Sequence, residues 1–122
     1  MMDFERFTAS VKLAYRRCGG SAYSLEDVLH VFRYYLSTYE YIMGKAHPPI
    51  SIEQAANIIS EMPFLPDDTH GGAGMLDISP EEYEAMIDQH FKTKYNRGNC
   101  DYNINHFFSG KIRYMRFYEV CY

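Results

Sequence analysis

A chain of 122 residues and 14.3 kDa is one domain, and 47% hydrophobic with 23% charged side chains is the make-up of a folded protein rather than a disordered one. A formal charge of −4 and a pI of about 5.7 argue against general binding to nucleic-acid phosphates and exclude a polybasic membrane-surface segment. No apolar run approaches the roughly 18–20 residues that span a bilayer, and Met1–Arg6 lacks the basic stretch and apolar core of a signal peptide, so the expectation is a cytoplasmic, soluble protein.

Phe4, Phe7, Val11, Ala14 and Tyr15 recur at three- and four-residue steps and predict an amphipathic helix over Asp3–Cys18, stopped by Gly19-Gly20. Ser24 caps the next helix, with Asp27 an acidic near-match to a capping box. Val28, Leu29, Phe32, Tyr35, Leu36, Tyr39, Ile42 and Met43 form one wide apolar face. Val31, Tyr34, Thr38 and Tyr41 form a second stripe, leaving Glu26, His30, Arg33, Ser37 and Glu40 as a narrow polar seam. A helix with so little polar surface is covered on two sides, which predicts a central helix over about 24–44, ended by Gly44 and the rigid His47-Pro48-Pro49 connection.

Ser51, with Gln54 at the capping-box position, opens a third helix that buries Ile52, Ala55, Ala56, Ile59 and Met62 and closes at Pro63. The Pro, Gly and Asp content of 63–78 predicts a loop, most mobile at Gly71–Gly74. Ser79-Pro80-Glu81-Glu82 is a strong helix start, followed by an inner face of Tyr83, Met86, Ile87, His90 and Phe91 and a stop at Gly98. Ile104, Phe107, Phe108, Ile112, Met115 and Tyr118 fit a last helical face that Gly110 splits in two. A strand from Lys111 would need an alternation that Tyr114-Met115 breaks. The fold class is therefore all-α: one domain, a compact bundle of five or six helices packed around the helix at 24–44.

Twelve Tyr, eight Phe and no Trp make the chain 16% aromatic. Tyr suits both core edges and protein interfaces, because its ring is apolar and its tip polar. Charge is divided as well: Ala46–Phe91 carries nine acids and no Lys or Arg, whereas Lys92–Tyr122 carries six bases and two acids. Such a division suits two parts of one fold facing each other, or the steering of a partner. Cys18, Cys100 and Cys121 are odd in number and widely spaced, which fits reduced thiols better than a disulfide framework.

No phosphate loop, dinucleotide fingerprint, nucleophile elbow or His-Glu-x-x-His is present, so no catalytic residue and no cofactor is expected. Asp88, His90, Cys100, Asp101 and His106 gather metal-ligand types, but without the short paired spacing of structural zinc sites; no metal is expected, and His90 reads as a hydrogen-bonded core residue. His30, near Glu26 and Arg33, reads as solvated. Ser51–Ile59 has the small-residue centre of a first helix-turn-helix helix, but prolines and an acidic helix follow where a basic recognition helix belongs. Lys111, Arg113 and Arg116 with Tyr114 are what remains to supply a basic-aromatic face.

Asp101-Tyr102-Asn103-Ile104-Asn105-His106-Phe107-Phe108-Ser109-Gly110-Lys111-Ile112-Arg113, then Arg116-Phe117-Tyr118-Glu119, together with Leu25–Leu29, Arg33-Tyr34-Tyr35 and His47-Pro48-Pro49-Ile50, resembles small proteins of unassigned activity carried on integrative and conjugative elements of gut Firmicutes. The resemblance implies a mobile-element origin and a cytoplasmic bacterial setting, and brings no catalytic residues with it. The expected function is a non-enzymatic protein-binding accessory protein, with inhibition of host defence machinery such as a CRISPR nuclease as its narrower version. The alternative is a DNA-binding accessory or regulatory protein of the element. The expected partner is a protein or a second copy of the chain, nucleic acid being disfavoured and membrane excluded. Tyr34, Tyr41 and Val31 of the second stripe, with Lys111, Arg113 and Arg116, are the candidate partner-binding residues.

Overall fold

A computed structural model describes residues 4–19, 21, 23–67, 74–95, 101–108 and 112–121. Among these described residues six helices carry the fold: α1 Phe4–Arg17, α2 Leu25–Met43, α3 Ile52–Glu61, α4 Pro80–Lys92, α5 Ile104–Phe108 and α6 Ile112–Val120.

Local chemistry sets the boundaries. The Ser24 side chain accepts from the Asp27 amide at 3.1 Å, and Gly44 ends α2 in the left-handed region at φ 70°, a conformation that costs glycine little. Ser51 with Gln54, and Ser79 with Glu82, form complete capping boxes in which side chain and backbone satisfy each other's first amides. Pro80 opens α4 at the first helical position, where no amide donor is needed.

The segment expected to be a loop contains a correction. Phe64–Asp67 (β1) and Gly74–Asp77 (β2) pair as an antiparallel hairpin, Leu65 opposite Leu76 and Pro66 opposite Met75, with the Ile78 amide donating to the Pro63 carbonyl at 3.0 Å. In a two-stranded ladder each strand is an edge, so Pro66 is tolerated. The stretch Gly71–Ala73, where most mobility is expected, lies outside the described residues.

The principal helix contacts run in a closed ring: α3 on α1, α1 on α2, α2 on α4, α4 on α6, α6 on α5, and α5 back on α3. α2 supplies six buried side chains, Val28, Val31, Phe32, Tyr35, Leu36 and Tyr39, more than any other helix. Their i, i+3, i+4, i+7 spacing buries a single face wide enough to meet both ring neighbours. Val31 is only 1% exposed and belongs to this face, not to a second stripe, whereas Ile42, placed on the apolar face by periodicity, is half exposed.

α6 turns differently from its sequence reading. Arg113, Arg116 and Phe117 point inward and Met115 is exposed, the reverse of a face built on Met115. Arginine stems are apolar, and the guanidinium planes lie against rings: Arg113 over Phe108 at 5.3 Å, and Arg116 over Tyr95 at 5.7 Å. No helix among the described residues is long and apolar enough to cross a membrane.

Candidate functional site

The polar seam of α2 is the outward part of that helix. Glu26, His30, Arg33, Tyr34 and Ser37 line one shallow groove, and Arg33 also borders a second with Glu5, Thr8, Ala9 and Lys12 of α1. His30 reads as solvated in sequence; its Nε2 lies 2.7 Å from the Glu84 carboxylate of α4, with the His30 side chain half exposed. The Tyr34 hydroxyl donates to Asp88 at 2.7 Å, and partial burial together with that carboxylate pushes its pKa up to about 12. Thr38 returns its hydroxyl to the Tyr34 carbonyl at 2.8 Å. The expected second stripe is thus divided. Val31 is core, Tyr34 bridges to α4, Thr38 bonds its own helix, and Tyr41 projects into solvent at 90% exposure.

Beneath this surface the core holds, among the described residues, four buried polar side chains: His47, His90, Arg113 and Arg116. The His90 imidazole Nε2 is 3.0 Å from the Tyr35 hydroxyl, and Nδ1 is 2.5 Å from that of Tyr95. Tyr35 gives its single proton to the backbone carbonyls of Tyr102 (2.5 Å) and Asn103 (3.1 Å), so its oxygen accepts from His90 Nε2–H. Nδ1 then carries the lone pair and accepts from Tyr95, whose oxygen in turn accepts from Arg116 Nη1 at 3.1 Å. Arg116 Nη2 donates to Glu119 at 2.5 Å, while its buried Nε has no partner among the described residues. One polar chain therefore crosses the core: Glu119, Arg116, Tyr95, His90, Tyr35, then backbone.

Burial, the nearby Arg116 guanidinium and His106 drive the His90 pKa down to about 3, so the ring is neutral at ordinary pH. This is the hydrogen-bonded core histidine that its place on an apolar face implies. His47 is built alike. Its Nδ1–H donates to the Pro48 carbonyl at 2.7 Å and its Nε2 accepts from the Ile104 amide at 2.9 Å, with burial lowering its pKa. It satisfies the first amide of α5, while Asn103 Oδ1 takes that of His106 at 2.9 Å. Sequence reading treats His47 as part of a rigid connection. The Pro48-Pro49 that follows is the available signal, since it holds the backbone at a fixed angle there.

Arg113 is likewise internal. Its Nη1 donates to the Glu61 carbonyl at 3.0 Å and to the Tyr83 hydroxyl at 2.8 Å, and Tyr83 donates to the Met62 carbonyl at 2.5 Å. Burial raises the Tyr83 pKa to about 12 against the opposing pull of Arg113. The cation ties the end of α3 to α4 and α6.

Of the six candidate partner-binding residues, Val31, Arg113 and Arg116 are therefore interior, Tyr34 is half-buried and Tyr41 is on the surface. Lys111 lies outside the described residues. The basic-aromatic face that would serve nucleic acid loses Arg113 and Arg116 to the core. Among the metal-type residues, Cys100 is outside the described set, Asp88 is engaged by Tyr34 and His90 by two tyrosines. No group of three or more His, Cys, Asp or Glu that could hold a metal occurs among the described residues. No family model, no curated protein and no solved structure matches the chain.

Proposed function

We propose that this is a small non-enzymatic protein-binding domain that engages its partner through the C-terminal end of α2. The carrying observation is Tyr41, 90% exposed and followed in sequence by the half-exposed Ile42, an aromatic and an aliphatic side chain both open to solvent at the end of α2. A tyrosine so placed loses little rotamer freedom on binding and buries a large ring, which is why such residues anchor interfaces. One shallow groove lined by Glu26, His30, Arg33, Tyr34 and Ser37 runs along the same helix and offers polar groups to a partner. The mobile-element setting is part of this proposal and rests on the sequence resemblance alone.

The test is capture of bound protein by the wild type and by Tyr41→Ala, with the fold of both checked by circular dichroism. A partner, or a second copy of the chain, that is retained by the wild type and lost by the folded variant is the expected outcome. An undiminished bound set refutes the assignment of this end of α2. DNA binding that weakens steeply with salt would favour the nucleic-acid reading instead.

A further inference from the structure

His47, in the connection after α2, and His90, on α4, hold the same short stretch of chain from two sides. His47 Nε2 accepts the Ile104 amide, and His90 Nε2–H supports the Tyr35 hydroxyl that donates to the carbonyls of Tyr102 and Asn103. The His47 arrangement requires a neutral ring, and the surroundings of His90 favour one. A proton on His47 Nε2 would set one N–H against another at Ile104, and no rotation of the ring repairs this while Nδ1–H stays on Pro48. A proton on His90 Nδ1 would take away the acceptor of the Tyr95 O–H and put a second buried cation beside the Arg116 guanidinium.

The held segment carries its own marks of constraint. Tyr102 has φ 62°, a left-handed conformation that side chains other than glycine and asparagine adopt at a cost, and its ring stacks on Phe91 at 5.6 Å. We propose that residues 101–108 form an acid-releasable clamp on α2: latched at neutral pH by His47 and His90, and let go when both imidazoles take up protons.

The charged and titratable surroundings differ for the two rings. His90 is faced by Tyr35 of α2, His106 of α5, Arg116 of α6, and Tyr95 and Tyr102 from the intervening chain; burial and the Arg116 guanidinium oppose its protonation. His47 is faced by Tyr35, Tyr39 and Glu40 of α2 and by Asp101, and the two carboxylates favour its protonation. His47 therefore releases first as pH falls and His90 follows. Opening frees the buried Ile104, Phe107 and Phe108 and uncovers Tyr35 and Phe91 beneath them.

Amide hydrogen exchange of the intact protein between pH 7.5 and 4.5, corrected for the intrinsic pH dependence, tests this. Opening linked to one or two protons lowers protection of 101–108 by roughly ten- to a hundredfold per pH unit below about pH 6, while α1 and α3 keep theirs. A flat profile at 101–108, or loss of protection by all helices together, overturns the clamp. In His47→Gln/His90→Gln the side-chain amides replace the Nε2 acceptor and the Nε2–H donor without titrating, so the pH dependence at 101–108 should disappear; its persistence also overturns the proposal. Should that variant fail to fold, imidazole nitrogen resonances of the wild type decide. The Nδ1–H tautomer at His47 and Nε2–H at His90 are required at pH 7.5, and either opposite tautomer refutes the latch.

Discussion

The two sides of the core are made of different material. Among the described residues, α1 and α3 bury only apolar side chains, Val11, Ala14, Ala55, Ile58 and Ile59, and Phe32 of α2 packs on Phe7 of α1. Where α4, α5 and α6 close against α2, the buried set includes His90, Arg113 and Arg116 among aromatic rings, with His47 reaching in from the connection. Apolar contacts are non-directional and tolerate small shifts in helix position. Hydrogen bonds through a buried imidazole or guanidinium do not. The first side supplies cohesion, whereas the second restricts which arrangement of helices is compatible with every buried donor and acceptor.

The sharpest way to break this comparison is to remove one large group from each side. Phe32→Ala, on the apolar side and fully buried, is expected to lower unfolding free energy by about 3–5 kcal/mol in a denaturant titration; a loss below about 1 kcal/mol would mean that the face is not core. Arg113→Ala is expected to cost somewhat less, about 2–4 kcal/mol, through lost stem packing and the Glu61 carbonyl left without its donor. Arg113→Met keeps the volume and removes a buried cation, so it should recover part of that loss. If Met proves worse than Ala, the guanidinium bonds outweigh the packing.

Acid separates the two sides further. Both buried histidines sit below their ordinary value of 6.5, so the unfolded chain takes up protons before the native one. Their stabilising contribution is complete above pH 6.5 and declines as pH falls, for His90 down to about 3. Each linked proton steepens the decline by at most about 1.4 kcal/mol per pH unit. Thermal melts between pH 7.5 and 4.5 should follow this trend, and a single His90→Gln substitution should flatten it in part. Ser79→Ala, which opens the capping box of α4, should cost about 1 kcal/mol, and Ser51→Ala about the same for α3. Tyr41→Ala, by contrast, should leave the melting midpoint of the monomer nearly unchanged, within about 0.5 kcal/mol, since its side chain is mostly in water.

The apolar side is legible in the sequence because it obeys one rule. Phe7, Val11, Val28, Phe32, Ala55 and Ile59 recur with helical period, and Ser24, Ser51 and Ser79 mark the starts by donor-acceptor chemistry confined to four consecutive residues. The polar side is not, because its information is distributed. That Arg113 faces inward depends on Glu61, Tyr83 and Phe108, none of them within helical reach of it, and hydrophobic periodicity scores an arginine as surface whatever its stem touches. His47 is equally opaque: its partner is the Ile104 amide, which becomes a needy donor only once α5 exists. The hairpin is hidden for another reason. Four-residue strands containing Pro66 and Gly74 show no alternation long enough to register, and a two-stranded sheet depends on what it packs against. As for the candidate site, Tyr41 is recognisable in sequence, but the distinction between it and Val31 or Tyr34 rests on where α4 lies.

The closed order of helix contacts also bears on how the chain is made. In the ring, α2 has α4 as a neighbour and α3 has α5, so neither helix of the N-terminal half is fully covered by what precedes it in sequence. During synthesis from the N-terminus, the parts of α2 and α3 that pack on α4 and α5 wait in water until residues 80–108 have emerged. The nascent chain therefore passes through an interval with Tyr35 not yet covered by His90, Phe91 and Phe107, and it reaches the native state by closing a circle rather than by adding a last helix to a finished core.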